Sequence, residues 1–373
     1  MATIVFAPYP ETGHLNATFK IAKALKARGH RLRYLGLADF AEPVRRQGFE
    51  FTPILEDLFP VGFMRQHAVS RNIDNFAAVL LKAKSERRPI NLPQHLQRFA
   101  AEARPDVLVI DLLLSDLALV AVGLGLRTVL FNTQLFNPWA DEPAGYAPLA
   151  GQPELILCPQ EFDFPGTVRK PGSHYVESSI DLAREEPPFD WSRLNPQKPL
   201  VFCSFGSQSH LLPGSERFFR VAAEALAERP EWQLLLTVGT NLDPADFPAP
   251  PNVLLVKFAP QLEVLRRASL MLTHGGFNSV KECIYFGVPM LVFPVIRDHP
   301  AIAARVVYHR LGLMADPREC TAGQLLGLLD RLQRDESYRA RVEALGQTFR
   351  AAEEAARGVE IIESVANPPQ QPH

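Results

Sequence analysis

LTHGGFNSVKECIYFGVPMLVFPVIRDHP, residues 272 to 300, is the stretch that decides how this chain folds. It begins at the end of an apolar run, SLMLTH at 269–274, which reads as a buried strand. Gly275 and Gly276 then let the backbone turn tightly, and a helix is expected from near Phe277, with Asn278 and Ser279 in its first turn. A second apolar run, VPMLVFP at 288–294, follows Gly287 and has the length of a strand. Strand, helix and strand in so short a span make a βαβ unit, which builds a parallel sheet covered by helices.

The same alternation extends in both directions. Upstream lie PLVFCSFGS at 199–207, a helix at 214–228, WQLLLTVG at 232–239, NVLLVKF at 252–258 and a helix at 260–267; downstream, helices run to about residue 356. The amino-terminal half has its own set: TIVFAP at 3–8, a helix at 14–28 stopped by Gly29, RLRYLGL at 31–37, FEFTPIL at 49–55, DVLVIDLLL at 106–114 and RTVLFNT at 127–133. Residues 56–104 interrupt the rhythm and read as a helical insertion over the sheet edge. Between Pro138 and Pro199 the pattern becomes irregular and proline-rich, as where few contacts cross. The fold class is therefore α/β, with two doubly wound, Rossmann-like domains. The expected division is 1–182, a linker at 183–198 and 199–356, with 357–373 a polar tail that frays or packs back on the amino-terminal domain.

Composition bounds the function. At 373 residues and 47% hydrophobic, the chain has material for two cores. Its 39 Lys plus Arg against 41 Asp plus Glu give a net charge of -2, so no overall field recruits nucleic acid or an anionic membrane. The first residues lack a basic segment before a long apolar run, and no later stretch approaches the ~18 apolar residues of a membrane span, so a cytoplasmic location is expected. Cys158, Cys203, Cys283 and Cys320 lie far apart, the pattern of buried thiols rather than of disulfides or a zinc site.

The chemistry concentrates in two places. At the start of the 277 helix, free N–H groups, the hydroxyl of Ser279, the amide of Asn278 and the close backbone approach allowed by Gly276 would converge on an anion, with His274 able to donate a further hydrogen bond. Glu282 follows Asn278 by four residues, on the same helix face, where it could accept both hydroxyls of a ribose. FAPQLEVLRRA at 258–268 offers the plane of Phe258, then Ala259 and the amide of Gln261, a pairing suited to a nucleobase. Asp298 and His299 close a strand-to-helix loop at the carboxyl end of the sheet, where such folds bind ligands. Each has a plainer reading: two glycines as a turn, Phe258 as core, Glu282 as a solvated residue, Asp298 as a helix cap. In the amino-terminal half, PETGHLNATFK at 10–20 places His14, partly exposed, at the first strand-to-helix turn. An imidazole with an ordinary pKa of about 6.5 suits removal of a hydroxyl proton near neutrality. Asp111, ending the strand DVLVID, is the best partner for its other nitrogen, with Asp116 a rival; a capping or surface histidine is the competing reading.

Taken together, Phe258 to His299 resembles the donor-binding signature of the family 1, GT-B-type glycosyltransferases, which include plant secondary-metabolite and bacterial macrolide enzymes. The resemblance extends through both domains and implies that they face each other across a cleft. It implies that Phe258 and Gln261 hold uracil, Glu282 the ribose, and His274, Asn278 and Ser279 the phosphates, with Ser207 of SFGS contributing from the opposite loop. It also implies a catalytic histidine in a GHxNP-like segment, here with Ala17 for the proline, and an aspartate at a later strand end, matching His14 and Asp111. The family commonly has Gln where this chain has His299, which leaves the donor sugar open.

The implied reaction is inverting, metal-independent transfer of a hexose from a UDP-sugar or dTDP-sugar to a hydroxyl of a small hydrophobic acceptor such as a natural product, with no cofactor. The chain lacks an Asp-x-Asp pair of the kind that holds a divalent ion to a diphosphate. Phe59, Phe63, Phe76, Phe136 and Trp139 are candidates for an apolar acceptor pocket, although each is as readily a cover for the sheet. The competing functions are a nucleotide-sugar epimerase of the same fold and a non-catalytic nucleotide-sugar or lipid-binding protein.

Overall fold

The computed structural model describes residues 1–63, 91–141, 143–206 and 209–368. The chain forms two compact units, one of Met1–Pro159, Gly166–Asp181 and Ala352–His373, the other of Gln160–Pro165 and Leu182–Ala351. Among the described residues no helix is long and apolar enough to cross a membrane. The helical insertion expected within 56–104 falls largely on residues 64–90, outside the described residues.

In the first unit, seven strands, β1 (Thr3–Ala7), β2 (Arg31–Gly36), β3 (Glu50–Pro53), β4 (Val107–Asp111), β5 (Thr128–Asn132), β6 (Glu154–Ile156) and β7 (Ser173–Tyr175), form one parallel sheet in the order β3-β2-β1-β4-β5-β6-β7. Its central strands are apolar on both faces because helices cover both. Alternate residues separate cleanly: Ile4, Phe6, Val107 and Val109 enter one core, and Val5, Ala7, Leu108 and Ile110 the other. The short strands β6 and β7 lie in the proline-rich region read as irregular, where three residues are too few to display a period.

Of the two expectations for the end of the chain, packing back on the first unit holds through Ala366, and as a helix rather than a frayed polar tail. Arg357–Ala366 is a helix whose Val359, Ile362 and Ala366 are buried in the first core. Their spacing puts one side of the helix on the sheet.

The second unit repeats the plan with six parallel strands, β8 (Leu200–Ser204), β9 (Gln233–Thr237), β10 (Val253–Val256), β11 (Ala268–Thr273), β12 (Met290–Val292) and β13 (Gly312–Met314), in the order β10-β9-β8-β11-β12-β13. The short excursion Gln160–Pro165 joins this unit through Phe162, which stacks on Phe277 with ring centroids 5.6 Å apart. All four cysteines are buried thiols, none in a disulfide.

Candidate functional site

In sheets of this order, the place where the strand sequence reverses leaves a crevice at the carboxyl ends of two neighbouring strands. In the first unit those strands are β1 and β4, paired in parallel up to Ala7 opposite Ile110. His14 stands in the first turn of the helix Thr12–Ala27 that follows β1, and Asp111 is the last residue of β4. Their side chains meet, with His14 Nδ1 2.6 Å from Asp111 Oδ2. A carboxylate can only accept, so Nδ1 carries the proton toward it and Nε2 presents a lone pair. Asp111 is itself fixed by the backbone N–H groups of Tyr9 at 3.3 Å and Leu113 at 3.0 Å.

Contrary to the partly exposed histidine expected, His14 is only 5% exposed. Three neighbours not singled out from the sequence enclose it: the Tyr9 ring at 5.3 Å, the Thr133 hydroxyl 2.9 Å from Nδ1, and the Gln134 amide, whose Nε2 lies 3.1 Å from His14 Nε2. The loop carrying Thr133 and Gln134 passes through Leu135 in a left-handed conformation, φ 56°. Asn132 Nδ2 donates to the Phe136 carbonyl, and Arg169 donates to the carbonyls of Leu135 and Phe136, which offsets that backbone strain. The rival Asp116 lies in the first turn of the helix Ser115–Gly123, and the contact to His14 belongs to Asp111.

In the second unit the reversal lies between β8 and β11, where Thr273 pairs with Ser204. His274 follows β11 and Gly206 follows β8. A Cβ on Gly206 would stand 3.0 Å from the His274 ring, and one on Gly276 2.5 Å from its Nε2, so glycine at both positions is what admits the imidazole. The His299 ring meets it edge-on at 4.7 Å, and the Nδ1 atoms of both histidines are buried with no hydrogen-bond partner among the described residues. Burial pushes His274 down to about 3, with His299 adding to the shift and a backbone hydrogen bond to Ser204 opposing it. Burial, then the charge of Arg297, lowers His299 to about 4. Both rings are therefore neutral at physiological pH and able to donate one hydrogen bond without bringing a charge.

Gly276 is the N-cap of the helix Phe277–Phe286 and supplies no side-chain cap, with half-buried Asn278 and buried Ser279 in the first turn. Gln261 opens the helix Gln261–Leu265 and donates through Nε2 to Ser279 Oγ at 3.2 Å and to Glu282 Oε2 at 2.6 Å. Glu282 is buried at 3% exposure, so it is not the solvated residue of the plainer reading. Phe258 is 48% exposed and thus not core, with Ala259 half-buried beside it. Asp298 is the N-cap residue of the helix His299–Tyr308 but makes no side-chain capping hydrogen bond; Arg297 before it is left-handed, φ 55°.

The acceptor candidates divide. Phe59, at 1% exposure, and Phe63 pack edge-to-face at 5.0 Å inside the second core of the first unit, so both are packing residues and not an open apolar surface. Phe136 is half-buried beside Tyr146, ring centroids 6.3 Å apart. Phe76, Ser207 and the side chain of Trp139 lie outside the described residues. Among the described residues no group of three or more His, Cys, Asp or Glu is placed to hold a metal ion.

Residues 159–352 match the family model described as UDP-glucoronosyl and UDP-glucosyl transferase. A demethyllactenocin mycarosyltransferase of Streptomyces fradiae is 29% identical over 99% of this chain and 87% of its own length. The solved glycotransferase of kitacinnamycin aligns with a TM-score of 0.78 at 25% identity, covering 98% of each chain. The glycosyltransferase VinC, solved in complex with dTDP, aligns with a TM-score of 0.73 at 19% identity, covering 98% of this chain and 99% of its own.

Proposed function

Because this chain belongs to the UDP-glucoronosyl and UDP-glucosyl transferase family and is a glycosyltransferase, we propose that it acts as a cytoplasmic enzyme moving a hexose from a nucleoside-diphosphate sugar to a hydroxyl of a small apolar natural product. The observation that carries the reading is the pair His14 and Asp111, 2.6 Å apart at the reversal of the first sheet. A buried carboxylate on one ring nitrogen leaves the other as a base for an alcohol.

In this reading the first unit takes the acceptor, with Phe136 and Trp139 among its apolar contacts, and Gln134 moves aside as the hydroxyl reaches His14. The second unit takes the donor. Phe258, Ala259 and Gln261 face the base, Glu282 the ribose, and His274, Ser207, Asn278, Ser279 and the helix start at Gly276 the diphosphate. Asp298 and His299 contact the sugar. His14 removes the acceptor proton, the oxygen attacks the anomeric carbon, and the nucleoside diphosphate leaves. A single in-line displacement inverts the anomeric configuration. Backbone dipoles and neutral donors stabilise the leaving charge without a metal. That the Streptomyces relative is a demethyllactenocin mycarosyltransferase supports a natural-product acceptor, and the dTDP bound to VinC supports trying dTDP-sugars beside UDP-sugars.

The test is a mass-spectrometric screen pairing UDP-sugars and dTDP-sugars with hydrophobic alcohols and phenols. Any pair that yields product is repeated with His14→Ala and in excess EDTA. Product lost with His14→Ala at unchanged nucleotide affinity, and retained in EDTA, supports the mechanism; a fully active His14→Ala variant overturns it. Donor incubated alone distinguishes the epimerase, which would return a new sugar epimer.

A further inference from the structure

Arg184 lies in the charged, proline-bearing segment read from the sequence as linker, yet its side chain is only 21% exposed and its guanidinium is shared between two carboxylates. Nη1 donates to Glu282 Oε1 at 2.5 Å, with Nη2 reaching Oε2 at 3.4 Å. Nε and Nη2 donate to Glu186 Oε1 at 3.1 and 2.9 Å. Glu186 also accepts from the backbone N–H of Leu262 at 3.0 and 3.1 Å, in the first turn of the helix that Gln261 opens. Since Gln261 donates to Glu282 at 2.6 Å, the chain of contacts closes into a ring: Glu282, Arg184, Glu186, the helix start and Gln261.

We propose that Arg184, seated by Glu186, is a positioning residue for nucleotide recognition, fixing the Glu282 carboxylate to meet the sugar hydroxyls of the nucleoside and tying it to the Gln261 helix. This rests on the reading of Glu282 as the acceptor of those hydroxyls. A carboxylate offers about four lone-pair directions; among the described residues Arg184 Nη1 and Gln261 hold one on each oxygen at 2.5 and 2.6 Å, and the long 3.4 Å contact of Nη2 leaves the second on Oε2, like that on Oε1, for a sugar hydroxyl. A glutamate left loose would lose rotamer freedom when a nucleotide bound; one braced during folding has already lost it. The planar fork of arginine, which holds two carboxylates at once, is what the place requires, and a lysine ammonium does not reproduce it. Burial of Arg184 favours its neutral form, but the charges and hydrogen bonds of Glu282 and Glu186 together outweigh it and raise its pKa, so the brace stays charged.

The test is calorimetry on the full chain with UDP and 2′,3′-dideoxy-UDP, or with dTDP and its 3′-deoxy counterpart if dTDP binds more tightly. The wild type should lose a factor on the order of 10 to 100 in affinity when the hydroxyls are removed, the scale of hydrogen bonds to a charged group. In Arg184→Met this ratio should shrink to about threefold or less, while kcat at saturating donor stays near the wild-type value and donor KM rises. Arg184→Lys, which keeps the charge, should show the same direction and a smaller change. A large wild-type ratio left intact in both variants overturns the role of Arg184 while sparing that of Glu282. A wild type indifferent to the hydroxyls overturns the Glu282 reading and the proposal with it. Should Arg184→Met fail to fold, the ratio is read on Arg184→Lys and Glu186→Gln, and its persistence there is equally fatal.

Discussion

The two sheets share a strand order and each sets a histidine beside its reversal point, yet the two histidines have opposite surroundings. His14 has a carboxylate at 2.6 Å, a threonine hydroxyl at 2.9 Å and an amide at 3.1 Å. His274 has glycines against its ring, a second histidine at 4.7 Å, and an Nδ1 with no partner among the described residues. The first environment compensates a positive charge, as a group that takes up a proton requires. The second discourages one and keeps the ring a neutral donor. Topology thus fixes where chemistry is possible in each unit, and the immediate neighbours decide which chemistry.

The largest test of this contrast is Asp111→Asn. The amide retains the shape but reverses the hydrogen-bonding demand on Nδ1, so kcat should fall by a factor on the order of 10² to 10⁴ with nucleotide affinity unchanged. Equal loss of nucleotide affinity, read by calorimetry, would mean that the two histidine sites are not functionally separate. Gly276→Ala probes the other side. Its Cβ would stand 2.5 Å from the His274 ring, so donor KM should rise by about tenfold or more while acceptor KM holds, as steady-state kinetics in each substrate would reveal.

A third test uses acid. With ordinary values of 6.5 and native values of about 3 and 4, His274 and His299 are neutral in folded and unfolded chains above pH 6.5. Between pH 6.5 and 4 the unfolded chain takes up protons that the native second unit refuses, so stability falls as the pH falls. For His299 the loss is about 2 kcal/mol by pH 4.5. Thermal melts should show it, and His299→Gln should flatten that part of the profile; an unchanged profile would refute the buried, neutral ring. The smallest effect belongs to Gln134→Ala. Its amide competes with the acceptor for His14 Nε2, so truncation should lower acceptor KM by a few-fold, the worth of one hydrogen bond. A raised KM would instead make Gln134 a contact of the acceptor.

Much of this arrangement could be read from residue order alone. Long apolar strands punctuated by glycine and proline announced both sheets, and the meeting of His14 with Asp111, 97 residues apart, follows from their both standing at the carboxyl ends of strands in one parallel sheet. The illegible parts have physical causes. Strands β6, β7 and β13 have three residues each, too short for a period to register. Gln134 lies in a loop held by a left-handed Leu135, which no pattern advertises. Arg184 and Glu186 matter through partners about 76 to 98 residues away, and a charged stretch flanked by prolines reads as solvated until those partners are known. Phe59 and Phe63 are ambiguous for the converse reason, since an aromatic that lines a pocket and one that fills a core have the same local sequence, and burial places them in the core.

The helix Arg357–Ala366 has a consequence for biogenesis. Val359, Ile362 and Ala366 belong to the core of the unit that begins at Met1, so that core is short of its last side chains until synthesis has passed residue 366. By then residues 182–351 have all been made, and the later-encoded unit can finish folding on the ribosome before the earlier one. A fragment ended at Asp181 would uncover the part of that sheet face beside β4 and β5 that the helix Thr12–Ala27 does not share, and it should be recovered as aggregate.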